Sequence, residues 1–528
     1  MTVVSTFRTS FARGALGALS GLLAGYAALA VAELVAALVR PQTGPVTVVG
    51  GAAIDRTPAP VKDFAIRTFG EDDKLVLQLG ILAVLVLLGV VLGLVSMRHR
   101  RTGAAGVLLF GVIGAGAALT RPDSAGAADA LPSVVGAAAG AAILYFLAGK
   151  LSPSSSTPDA GGRADGWSRR GFLLAASVTA VASTGAGAVG RALTGRRGQG
   201  AVASRTAVKL PVPASPAPPL PKGVQLKVAG ISAFTTPNKD FYRVDTALIV
   251  PRVDADTWRL RIRGKGVTRP RTYTFQELLD RPLIERDITL TCVSNEVGGP
   301  YIGHARWLGV RLPDLLRECG VKPPSQGGKA DQLVARSVDG MTLGSPVEEV
   351  MDGRDAILAV GMNGEPLPFD HGFPVRMLVP GLYGYVSACK WIEEIELTTF
   401  DAYDPYWVKR KWARKAPIKT QARIDTPKPF ARPAAGTVTV AGVAWAQHRG
   451  IDRVEVRVDD GPWQDADLAP QAGVDTWRQW SFPWNTTPGG HTLTVRATDG
   501  TGATQTEERT RTIPDGASGW HSVFVTAG

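Results

Sequence analysis

A chain of 528 residues has room for two or three packed domains, each with a full hydrophobic core. Part of its formal charge of +12 sits in a run holding Lys409, Arg410, Lys411, Arg414, Lys415 and Lys419; no nucleic-acid motif accompanies it, so no nucleic-acid partner is expected. The three cysteines, Cys292, Cys319 and Cys389, stand far apart with no CxxC pair, which excludes a zinc ribbon and a thioredoxin-like site.

Four segments, 15–39, 76–97, 104–120 and 133–151, are apolar and nearly uncharged, each close to the length that crosses a bilayer. Their Ala/Gly richness suits close helix packing in lipid. Glu33 is the one acid in the first span, a functional candidate or a group reaching the interface. A fifth apolar stretch, 171–189, follows Ser168-Arg169-Arg170-Gly171-Phe172-Leu173. That string resembles a twin-arginine export signal, and it equally suits the cytoplasmic flank of a fifth helix. Positive residues place Arg8, Arg13, the Arg98-His99-Arg100-Arg101 run and the segment from Lys150 to Arg170 inside. Five crossings then put everything after about Arg191 outside the cytoplasm. Export of a folded domain suits a protein that acquires a cofactor before it crosses.

A Pro/Ala-rich stretch, 193–223, is expected to be a semi-extended tether. The segment after it mixes short strands and helices. Residues 258–264 alternate as a strand, and 275–280 and 312–318 read as short helices, the second opened by Pro313 and closed by Gly320. Such a mixture indicates an α+β domain. From about 420 onward, 438–443, 454–458, 477–484 and 491–497 alternate between turn signals, the pattern of a β-sandwich whose aromatic residues fill its core.

Cys292 ends the apolar run Ile288-Thr289-Leu290-Thr291 and opens a polar, glycine-containing segment. A lone sulfur in that position suits a soft metal held by one protein thiolate, or a buried cysteine acting as a small hydrophobe. Three clusters carry more polar residues and glycines than a core requires: Asn238 to Thr246, Cys292 to Trp307, and Met362 to Lys390. Glycines allow close backbone approach to a bulky anion, and Arg376 with Lys390 can neutralise phosphate. His371 also reads as a turn cap, Arg376 as a surface ion pair, and Trp307 as either core or active-site wall.

In this order and spacing the clusters resemble the sulfite oxidase family of molybdopterin-dependent oxidoreductases, and the string NGEPLPFDHGFPVRMLVPG beginning at Asn363 is specific to it. The resemblance runs from about Asn238 to the C-terminus and leaves the apolar N-terminal part uncovered. The Asp459-Asp460-Gly461-Pro462-Trp463, Trp477-Arg478-Gln479-Trp480 and Arg496-Ala497-Thr498-Asp499 segments resemble that family's immunoglobulin-like dimerisation domain. The implied division is a region of about five transmembrane helices (1–192), the linker (193–223), a molybdopterin-binding α+β domain (224–415) and the immunoglobulin-like β-sandwich (416–528).

The resemblance implies that Cys292 binds molybdenum and that one pterin dithiolene supplies two further sulfurs. It places Cys292, Asn295 and Trp307 among the catalytic residues. Tyr242, Arg243, Ser337, His371, Arg376, Ser387 and Lys390 fall at cofactor-binding positions. Two departures concern the substrate: Met341 stands where the family has tyrosine, and Glu296 and Val297 stand where it has two arginines. A tetrahedral oxyanion needs several converging cations, so efficient sulfite oxidation is not expected.

These features imply two-electron oxygen-atom transfer at molybdenum on a small polar substrate, sulfite-like or an S- or N-oxide. A competing class is a binding or adhesion protein with a degenerate oxidoreductase domain, against which the retained Cys292 argues. A transporter gated by the outer domain finds little support in the sparse intramembrane charge. None of the six histidines lies in an expected span and no CxxCH exists, so no haem is expected. Electrons are then expected to pass to a separate cytochrome or quinone-linked partner, with the helices as anchor and the C-terminal domain available for homodimerisation. Cys319 and Cys389 are candidates for a disulfide, or Cys389, one residue before Lys390, packs beside the pterin.

Overall fold

The computed structural model describes residues 2–58, 61, 64, 68–69, 73–121, 124, 126–151 and 169–528. Ser168, most of the segment between Lys150 and Arg170, and parts of the loops at 40–74 and 121–131 lie outside the described residues. The chain divides into two compact units: Met1–Gly200 with Ala247–Val250, and Ala201–Thr246 with Pro251–Gly528.

The first unit is helical: α1 (Thr2–Val39), α2 (Pro45–Arg56), α3 (Asp73–Ser96), α4 (Arg100–Thr120), α5 (Leu131–Leu151) and α6 (Arg169–Ala207). Five stretches, Arg13–Val39, Lys74–Ser96, Arg100–Thr120, Ala127–Leu151 and Arg170–Ala207, are long and apolar enough to cross a membrane. Small residues let α1 and α3 touch backbone to backbone. A Cβ on Gly21 would lie 1.9 Å from the Gly89 oxygen, and one on Gly93 would lie 2.2 Å from the Gly17 oxygen.

The expected tether begins differently. Residues 193–210 contain no proline, and α6 continues through them to Ala207. The proline-rich remainder is docked rather than free. Ser215 N–H donates to the Leu283 oxygen (3.2 Å), and its own oxygen accepts from Glu285 N–H (2.9 Å).

The second unit opens with two sheets. One has the order β2-β1-β10-β5-β6, from β1 (Arg259–Gly264), β2 (Arg271–Thr274), β5 (Gln332–Ser337), β6 (Thr342–Pro346) and β10 (Ile392–Thr398). The other has the order β3-β4-β7-β8, from β3 (Ile284–Thr291), β4 (Ile302–Arg311), β7 (Ile357–Met362) and β8 (Glu365–Pro366), with β9 (Arg376–Leu378) on β7. Short helices α7 (Phe275–Leu279), α8 (Leu312–Glu318), α9 (Val347–Met351) and α10 (Gly384–Ser387) connect them. Thr274 starts α7 through a capping box with Glu277.

Two four-stranded antiparallel sheets follow, β11-β12-β16-β15 and β14-β13-β17-β18. Their strands are β11 (Gln421–Thr426), β12 (Gly436–Trp445), β13 (Ile451–Val458), β14 (Gln464–Asp465), β15 (Asp467–Leu468), β16 (Arg478–Thr486), β17 (Gly489–Asp499) and β18 (His521–Ala527). Alternate residues such as Val440, Val454, Val456, Trp480, Leu493, Val495 and Val525 fill the space between the sheets, as the sequence pattern requires.

The close approach of α1 and α3 predicts an asymmetric response to bulk. Gly93→Val is expected to lower the melting temperature of the detergent-solubilised protein, with an overpacking penalty of about 1–3 kcal/mol. Gly116→Val, where a Cβ would meet nothing within 4 Å, should leave it unchanged.

Candidate active site

β3 carries four consecutive buried residues, Ile288 to Thr291, up to the point where the chain turns away from the sheet. Cys292 stands at that turn. Its N–H donates to the Tyr301 oxygen (2.9 Å), its oxygen accepts from Asn295 N–H (3.0 Å), and its Sγ accepts from Ser294 N–H (3.4 Å). The thiol is buried, which pushes its pKa up; the Ser294 N–H and the Lys390 charge oppose that rise.

The sulfur faces a cavity of about 110 Å³ whose lining includes Tyr242, Asp245, Ser337, Met341, Arg376 and Lys390. β9 delivers Arg376, which is only 7% exposed. Its Nη1 donates to the His371 oxygen at 3.3 Å, its guanidinium lies 5.2 Å over the Trp307 ring, and its buried Nε has no hydrogen-bond partner. Among the described residues no carboxylate pairs with it, and burial pulls its pKa down to about 10. An unpaired buried guanidinium is strongly unfavourable unless an anion joins it.

Lys390 is treated differently. Its Nζ lies 2.7 Å from Asp245 Oδ2 and 3.0 Å from the Asp370 oxygen, and burial lowers its pKa to about 8. Asp245 also pairs with Arg243 (3.0 Å), which reaches Asp370 at 3.1 Å. Gly372, with φ of +110°, brings the backbone against Lys390, where a Cβ would sit 3.1 Å from the lysine Cα.

Of the expected site residues, Tyr242, Cys292, Ser337, Arg376 and Lys390 meet around this one cavity. The others support it from outside. Arg243 lies beyond Asp245. His371, held neutral by burial with a pKa of about 4, has Nε2 3.0 Å from the Asn238 oxygen. Ser387 Oγ donates to the oxygens of Leu382 (2.9 Å) and Tyr383 (3.0 Å).

Asn295 and Trp307, expected among the catalytic residues, do not line the cavity. Asn295 accepts from Tyr301 N–H (2.8 Å), and its Nδ2 is buried without a partner. Trp307 is fully buried and donates to the Ile288 oxygen (3.1 Å), because β4 turns it beneath Arg376 into the core. The proposed disulfide is absent: Cys319 and Cys389 are free and buried, Cys319 beside the Tyr273 hydroxyl and Cys389 on the cavity.

Two features were not legible in the sequence. Asp245 lay inside a recognised cluster, but its pairing with Lys390 spans 145 positions. Tyr385, Trp407 and Trp412 form an aromatic wall, with ring centroids 5.4 Å and 5.8 Å apart along the row, although Trp407 flanks and Trp412 lies within a segment that read only as basic. Glu296 is exposed and Val297 buried; neither lines the cavity, whereas Met341 does.

Among the described residues no group of three or more His, Cys, Asp or Glu side chains converges as a metal site. A metal at Cys292 would therefore draw its remaining donors from its own organic ligand. The buried, unpaired Arg376 and the lone sulfur fit such an anionic cofactor.

Residues 247–407 match the oxidoreductase molybdopterin binding domain family, and 421–495 match the bacterial Ig domain family. Mitochondrial sulfite oxidase of Mus musculus is 30% identical over 290 residues, covering 47% of this chain and 53% of that protein. Sulfite oxidase of Gallus gallus is 32% identical over 294 residues, covering 47% and 63%. The sulfane dehydrogenase SoxCD structure from Paracoccus pantotrophus aligns with a TM-score of 0.48 and 25% identity, over 56% of this chain and 82% of that one. The chain spans about half the length of the curated relatives it matches first.

The burial of Lys390 gives a pH signature. Folded, it releases its proton near pH 8; unfolded, it keeps it to about 10.5. The unfolded state then binds more protons across that window, so this group makes stability rise with pH there. In cofactor-free full-length protein, Lys390→Met should fall progressively behind wild type in melting temperature from about pH 8 to 10. A constant difference would contradict this.

Proposed function

The central domain belongs to the sulfite oxidase family of molybdopterin-dependent oxidoreductases, and we propose that the chain is a membrane-anchored enzyme that transfers an oxygen atom to or from a small substrate at molybdenum. The observation that carries this reading is Arg376, a buried cation with no carboxylate partner among the described residues, in the same cavity as the Cys292 sulfur. When bound, the molybdenum cofactor supplies the two-electron redox centre.

The chain's own residues bind and orient it. Cys292 supplies the protein sulfur to the metal. Arg376 and Lys390 hold the anionic parts of the pterin, with Tyr242 and Ser337 as further contacts, and Lys390 is kept in place by Asp245. Arg243, His371 and Ser387 act one step back: Arg243 fixes Asp245, His371 offers its backbone oxygen to Arg376, and Ser387 ties α10 to the loop before it. Asn295 shapes the turn after the cysteine, and Trp307 forms the floor under the guanidinium.

The cavity also bears on substrate. Met341, Tyr385, Trp407 and Trp412 line the same cavity. A soft apolar wall favours a substrate with organic substituents on the reacting sulfur or nitrogen over the fully hydrated sulfite anion. The apolar helices anchor the chain, with the catalytic unit outside the cytoplasm, reached by folded export if the twin-arginine-like string is used. A separate cytochrome or quinone-linked protein takes or supplies the electrons, and the sandwich is available for homodimerisation.

Purified full-length protein should contain near-stoichiometric molybdenum, and Cys292→Ser should lose it, as read by elemental analysis. Wild type prepared under ample molybdenum supply yet lacking metal and pterin would defeat the proposal. Met341→Tyr, which adds one hydroxyl donor to the apolar wall, is expected to raise kcat/KM for sulfite by about fivefold. A wild-type preference for sulfite over all S- and N-oxides would refute the substrate reading.

A further inference from the structure

We propose that the β-sandwich is part of the cysteine site, and that Gln447 is a positioning residue for Cys292. The proposal rests on Cys292 being the metal's protein ligand.

β3 is the edge strand of its sheet, since the order runs β3-β4-β7-β8. Its outer N–H and C=O groups therefore need partners from elsewhere. Near its end the sandwich supplies them. Gln447, fully buried, donates through Nε2 to the Thr289 oxygen (3.0 Å) and to Thr291 Oγ1 (2.9 Å), the residue immediately before the cysteine. Thr289 N–H donates to the Asp475 oxygen at 2.9 Å, and Thr289 Oγ1 accepts from Trp477 N–H at 2.8 Å.

The far end of the cysteine loop is gripped as well. Arg423 Nη1 donates to the Gly299 oxygen (2.8 Å), while its Nε is fixed on Asp425 (2.7 Å). At Gly298, with φ of +80°, a Cβ would fall 2.3 Å from the His521 ring. The segment from Cys292 to Gly299 thus leaves one sandwich contact and returns to another.

Gln447 Oε1 is buried and has no hydrogen-bond partner among the described residues. All side-chain hydrogen bonds of this amide go to the strand that carries the sulfur. A donor placed there holds the last rung of β3 in register and sets where Cys292 Sγ points, the tolerance a metal ligand requires.

The test compares full-length wild type with Gln447→Met, similar in length and unable to donate. In protein made without cofactor, iodoacetamide labelling of Cys292 is read by peptide mass spectrometry against Cys319, which is fully buried away from the sandwich contacts. A buried thiol reacts through local opening, so losing a donor shared by two buried acceptors should raise the Cys292 rate by about tenfold or more while Cys319 stays constant. A Cys292 rate that rises no more than that of Cys319 overturns the proposal, because general destabilisation moves both. In molybdenum-loaded protein the variant should also shift the sulfur-to-metal charge-transfer absorption. If Gln447→Met does not fold, Thr291→Val removes one of the two acceptors and is read by the same ratio, with a rise of about threefold expected. Wild type without molybdenum would sink the proposed function, while the labelling ratio would still decide the role of Gln447.

Discussion

A guanidinium buried without a carboxylate is the constraint around which the second unit is built. Removing an ion from water is tolerable only when its charge and hydrogen-bonding capacity are met inside. Arg376 receives one backbone oxygen and an aromatic face, and its Nε receives nothing. The surrounding architecture nevertheless fixes it in place. β9 pairs with β7, one strand away from β4, so the arginine projects over Trp307 rather than toward solvent. A fold that gained only from its own packing would replace such a residue with an apolar one. Its presence makes sense when an anion completes the site.

The two cations of the cavity therefore differ in kind. Lys390 has its counter-ion already, in Asp245, and Asp245 is shared with Arg243. A new anion near Lys390 must compete with a contact of 2.7 Å, whereas one near Arg376 meets no competing carboxylate among the described residues. The attraction of the cavity is concentrated at one corner. The lining also includes the Met341 thioether and the rings of Tyr385, Trp407 and Trp412. The unpaired cation suits an anionic cofactor.

The sequence made the elements of this arrangement legible where a single period or string encodes them. Alternation located β1, β12, β16 and β17 to within a residue or two and β13 to within three, and the Asn363-to-Gly381 string marked both His371 and Arg376. Features that depend on distant pairing were not legible. Nothing around Asp245 announces a partner 145 positions away, and nothing around Trp307 tells whether β4 will turn it toward a cavity or into the core. The stretch at 193–223 misled because its later prolines dominated its composition, whereas the part before Pro211 has no residue that must end a helix. Cys319 and Cys389 offered a pairing on count alone, which the separate surroundings of the two sulfurs remove.

A strand that ends at a metal ligand faces a physical conflict. The ligand must stand at the rim of its sheet to be reachable, yet a rim strand has one unpaired edge and frays most easily there. β3 resolves this by being an edge strand only within its own sheet. Ser215 covers its beginning, and Asp475, Trp477 and Gln447 cover its end. The turn that follows is drawn tight by Asn295 and closed by Arg423 on Gly299. Cys292 thus faces the cavity on one side and is held from the other, with partners drawn from both the α+β core and the sandwich. The immunoglobulin-like module is in this sense the second half of the cavity's frame, whatever assembly its outer face supports.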